Sequence, residues 1–95
     1  MNDDEFEWDD AKAVANLAKH EVSFEQARQA FGDIFAVEYD DHRSHYGEDR
    51  IILLGMVGDR LLAVAHTLRG DTIRIISARE AEPHERRRYH EQNSR

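Results

Sequence analysis

The chain has 95 residues, 40% of them hydrophobic, one proline and no cysteine, so it can build a single small domain (1–95) around one modest core, without disulfides or thiolate metal sites. A net charge of -7 argues against a protein that coats itself with nucleic acid by bulk electrostatics. No apolar run approaches the roughly 18 residues of a membrane span, and the acidic start is unlike a signal peptide, so the expected location is the cytosol.

Phe6-Glu7-Trp8 alternates in the manner of a short strand. Asp9 or Asp10 then caps a predicted helix in which Ala11, Val14, Ala15, Leu17 and Ala18 form an apolar stripe, and Lys19-His20 ends it where positive charge suits the helix dipole. Ser23-Phe24-Glu25-Gln26 has capping-box spacing and opens a second helix, with Phe24, Ala27 and Phe31 on one face and Gly32 as the stop.

Ile34 to Tyr39 alternates and predicts a strand, followed by a polar loop from Asp40 to Gly47. Arg50 to Val57 is almost continuously apolar, as a strand covered on both faces would be. Gly58-Asp59 turns the chain into Arg60 to Leu68, and Arg69-Gly70-Asp71 turns it again into Thr72 to Ser77. Ser77-Ala78-Arg79-Glu80 reads as another capping box, and Pro83 suits the first turn of a helix reaching about Gln92. The expected fold is therefore α+β: two N-terminal helices, an antiparallel meander of about four strands, and a C-terminal helix.

Charge is unevenly spread. Residues 1–50 hold 14 acids against 5 Lys or Arg, whereas residues 51–95 hold 6 against 8, so the second half is locally basic. His42 and His45 stand three apart beside carboxylates, but a polar loop offers neither the rigid frame nor the supporting partners of a metal site, so no metal or cofactor is expected. Asp9 and Asp10 are explained by capping. His66, in a strand among Val64 and Leu68, reads either as a core histidine or as a proton-moving group near Arg69, Arg74 and Arg79. Arg86, Arg87 and Arg88 point in three directions around a helix, so they cannot all share one site. With no nucleophile motif and no phosphate loop, what remains is an arginine-rich sheet, and the planar guanidinium fork suits a phosphodiester.

Several strings resemble the BrnT family of toxins from bacterial type II toxin-antitoxin modules. They are Phe6-Glu7-Trp8-Asp9, Lys12, Asn16, Lys19-His20, Val22-Ser23-Phe24-Glu25, Glu48 with Arg50, and Ile73-Arg74-Ile75-Ile76-Ser77-Ala78-Arg79 with Glu85-Arg86-Arg87 and Tyr89. Glu21 stands where a glycine is more usual after Lys-His. The resemblance implies a RelE-like fold and an endoribonuclease that needs no metal. It also implies a BrnA-like antitoxin with a ribbon-helix-helix domain, through which the complex reaches operator DNA. Such enzymes cleave RNA by 2'-hydroxyl attack on the adjacent phosphate, which demands positioning and charge stabilisation. On that basis Glu48 is the expected base with His66 as its partner, Arg69 and Arg79 are the cations facing the phosphate, and Lys19, His20, Arg50 and Arg74 grip flanking RNA. The family's tyrosine on the active face has no evident counterpart. The alternative is a non-catalytic partner that uses the same arginines to complete a DNA-binding repressor complex.

Overall fold

The structure is a computed structural model that describes residues 2–41 and 49–94. Its elements run β1 (Phe6–Glu7), α1 (Asp10–His20), α2 (Phe24–Ala30), β2 (Val37–Asp40), β3 (Ile51–Val57), β4 (Arg60–Arg69), β5 (Thr72–Glu80) and α3 (Pro83–Asn93). The α+β expectation holds, and the meander β2-β3-β4-β5 is antiparallel throughout. The short first strand joins it, pairing parallel with β5 through Phe6 opposite Ile73 and Glu7 opposite Arg74, so the sheet is mixed, five-stranded and ordered β1-β5-β4-β3-β2. Gly58 and Gly70 open the two hairpin turns at φ of 63° and 60°, a region that costs glycine little.

Each face of the sheet carries its own core. On one, α1 and α2 pack with Phe6 and Trp8 over Leu53, Leu62, Val64, Ile75 and Ala78; on the other, Tyr89 of α3 sits with Val37, Leu54, Leu61 and Ala63. The continuous apolar run of β3 is thus a strand buried on both sides, as expected.

Three sequence expectations change. The apolar stripe of α1 faces outward: Val14 and Leu17 are exposed, and the buried residue of the helix is Asn16. The Asn16 amide donates to the carbonyls of Val22 at 2.9 Å and Ala78 at 2.8 Å and accepts the Ala78 N–H at 3.1 Å. One side chain therefore pairs with β5 as a neighbouring strand residue would, and its polar bonds, together with Ala13, orient the helix.

The strand expected from Ile34 begins only at Val37. Asp33 accepts the Phe35 N–H at 2.9 Å and its carbonyl accepts from Ala36 at 3.0 Å, so Ile34 and Phe35 sit in an exposed turn. The capping box expected at Ser77 is instead strand, since Ser77 pairs with Ala65 and β5 runs on to Glu80 opposite Leu62; ladder bonds satisfy the backbone that a cap would otherwise serve. The box lies five residues later, where the Glu85 carboxylate accepts the Glu82 N–H at 2.8 Å ahead of Pro83. Val64 meets Ala78, and a shift between Ala65 and His66 resets the ladder, so that Arg74 meets Thr67 and Arg69 meets Thr72.

Candidate nucleic-acid interface

Alternation from these pairings puts Arg79, Ser77, Arg74 and Thr72 of β5, with Thr67 and Arg69 of β4, on the face that α3 shares. Arg69 and Arg74 thus occupy one side, by way of the shifted register. Arg50, one residue before β3, continues the ladder towards Thr67.

At one end of this face lies a buried polar network. Glu85 has a fully buried side chain, and Arg79 donates to both its oxygens, at 2.6 and 3.1 Å. The Tyr39 hydroxyl donates to the same carboxylate. Burial alone would raise the Glu85 carboxyl, but bonds from Arg79, the Glu82 N–H and Tyr39 outweigh it and hold the carboxyl at about 2. Burial and then Glu85 push the Tyr39 phenol up to about 12, so it acts as a donor. Glu85 also raises Arg79 above its ordinary value. Outside this network Arg88 stacks on the Tyr39 ring, 4.5 Å from its centroid. Tyr89 donates to Asp33 at 2.6 Å, joining α3 to the turn before β2.

The other end is more open. Arg74 holds Glu7 of β1 at 2.7 Å, with both side chains partly exposed. Arg69 is exposed on the hairpin, and with Asp49, Ile51, Thr67 and Leu68 it lines a cleft of about 320 Å³. From Ala63, opposite Arg79, to Arg69 is six residues of strand, about 20 Å. The arginine face is therefore long enough to follow several nucleotides.

Other predicted site residues lie elsewhere. His66 is 2% exposed on the helix-covered face, its ring edge-on to Phe31 at 4.9 Å, with Nδ1 3.2 Å from the Val64 carbonyl and Nε2 3.4 Å from Glu38. Burial lowers its pKa, against the pull of Val64 and Glu38, which suits a core histidine. Lys19 and His20 end α1 beside Glu21, whose carbonyl accepts from Arg60 at 3.4 Å, so they belong to the helix layer. Glu48, His42 and His45 lie outside the described residues.

Sequence reasoning missed Tyr39, Glu85 and Arg88 as one assembly. The period of β2 would have set Tyr39 beside Val37 on one face, and the position of Glu85 three after Glu82 would have marked it as a cap. Nothing local joins residues 46 apart. Tyr39 shares this face with the arginines.

A family model described as "Ribonuclease toxin, BrnT, of type II toxin-antitoxin system" matches residues 8–85. No curated protein matches the chain.

Proposed function

The chain belongs to the BrnT family of ribonuclease toxins of type II toxin-antitoxin systems, so an RNA substrate and an antitoxin partner come with that membership, and from it we propose a metal-independent endoribonuclease that binds RNA along the arginine face. The observation that carries this reading is the row Arg79, Ser77, Arg74 and Thr72 with Arg69 and Thr67 beside it, a polar track on one sheet face of a family whose substrate is RNA. The 2'-oxygen bonds to the adjacent phosphorus as the bond to the 5'-oxygen breaks. Glu48 takes the 2'-proton and water gives a proton to the leaving 5'-oxygen, leaving a cyclic phosphate and a 5'-hydroxyl. Arg69 faces the developing charge, while Arg74 and Arg50 hold flanking phosphates. Arg79, already locked to Glu85, positions the edge of the track; His66 supports the sheet from behind, and Lys19 and His20 reach RNA only where it wraps past the strand ends.

RNA has to draw Arg74 away from Glu7, which selects for a chain of closely spaced phosphates over isolated anions. A net charge of -7 makes direct operator binding weak, which favours a ribbon-helix-helix antitoxin as the DNA-contacting member of the complex. No helix among the described residues is long and apolar enough to cross a membrane; the proposed site of action is the cytoplasm.

The test is cleavage of a defined single-stranded RNA by the purified chain in EDTA, with analysis of the product ends. The expected result is cyclic phosphate termini without added metal, and at least a tenfold slower rate for Arg69→Ala at unchanged melting temperature. Intact RNA with a folded chain, or cleavage that requires a divalent cation, overturns the proposal.

A further inference from the structure

The outward face of α1 is not explained by the fold. Val14 and Leu17 are 71% and 51% exposed, on a helix fastened to the sheet by a buried asparagine. At helical spacing Asp10, Val14 and Leu17 fall along one line, and Glu21 caps the same helix about 16 Å from Asp10 at 1.5 Å per residue. A groove beside it is lined by Trp8, Phe24, Val14 and Leu17 and edged by Asp10 and Glu25. The surface therefore has an apolar centre with carboxylates at both ends and along one side.

That pattern selects among occupants. RNA offers phosphates, which these acids repel. A second copy packed antiparallel with Val14 against Leu17 would set Asp10 against Glu21, like charge on like at both ends of the stripe. A helix with two apolar side chains at i and i+3 or i+4 and Lys or Arg at either end satisfies both the apolar centre and the acids. We propose that the outer face of α1 docks such a cation-flanked amphipathic segment of the antitoxin. This rests on the family reading, which supplies the antitoxin. The surface belongs to the helix layer, opposite the face of Arg69 and Arg74, so the segment that holds the toxin is separate from whatever covers the RNA track.

The experiment titrates the cognate antitoxin into the purified toxin by calorimetry at two salt concentrations. Val14→Ala with Leu17→Ala is expected to weaken binding at least tenfold, with RNA cleavage by the free toxin and its melting temperature unchanged, because both side chains are solvent-facing and alanine favours helix. Asp10→Asn with Glu21→Gln is expected to weaken binding at least threefold at low salt and to flatten its salt dependence. Affinities within twofold of wild type for both variants overturn the proposal. So does a free toxin that sediments as a dimer and becomes monomeric in the alanine variant while antitoxin affinity stays constant, since the face then belongs to a second copy. A wild-type chain that binds no antitoxin overturns it too. If the wild type cleaves no RNA but the variants still lose antitoxin, the enzymatic reading falls and the docking surface stands.

Discussion

Glu21 is the one described residue other than glycine with positive φ, at 58°. Its N–H closes α1 by donating to Leu17 at 3.0 Å, the geometry in which glycine avoids a steric cost. A left-handed residue here is what the glycine expected after Lys-His by resemblance would adopt without strain. Glu21→Gly is expected to stabilise the chain by about 0.5–1 kcal/mol, because relief of left-handed strain exceeds the entropy glycine adds to the unfolded chain. A urea titration measures it. His66 gives a pH signature at the same scale. Its folded pKa lies below the ordinary 6.5, so the unfolded chain binds the proton first, and stability falls as the pH drops below 6.5 and flattens beneath the folded value. Urea midpoints at pH 7.5 and 5.5 should therefore differ more in wild type than in His66→Gln. The Glu85 carboxyl, held at about 2, is lost only at much lower pH and does not enter that window.

At the scale of elements, α3 is held by polar bonds. Its buried residues are Glu85 and Tyr89, and both are anchored by hydrogen bonds to other elements. Arg79→Ala leaves a buried carboxylate without its cation and is expected to destabilise the fold by about 3 kcal/mol. Adding Glu85→Gln to Arg79→Ala should recover part of that loss, because the charge that needed the partner is gone; denaturant unfolding of both variants decides. A drop in toxicity from Arg79→Ala alone would thus report on the fold as much as on RNA, which is why Arg69 is the cleaner probe.

The elements also show what a sequence can and cannot say. Strand periods, turn glycines and helix caps are local, and they placed α1, α2, β3, β4 and the last helix near their observed positions. The direction in which α1 faces was not legible, because an apolar stripe marks a helix face without saying which side meets the core. Here Asn16 decides through a partner 62 residues away. Ser77 and Glu80 have the spacing of a cap, yet the ladder with β4 outcompetes it. The arginines were visible as candidates, but their faces depend on the shift between Ala65 and His66, which no pattern announces.

In the whole molecule, the first strand pairs with the last. Phe6 meets Ile73, Glu7 meets Arg74, and Asn16 meets Ala78. Such distant pairings predict folding in the millisecond-to-second range, slower than for helical domains of this size, and stopped-flow refolding followed by Trp8 fluorescence would show it. On the ribosome the same topology acts as a clock. At roughly 5–20 residues per second, about 2.5 to 10 seconds separate the synthesis of the first two helices from that of β5. Until then Asn16 has no strand to pair with, and Arg74 and Arg79 have not been made. The nascent chain therefore carries no assembled arginine face until the last quarter of the chain has been translated.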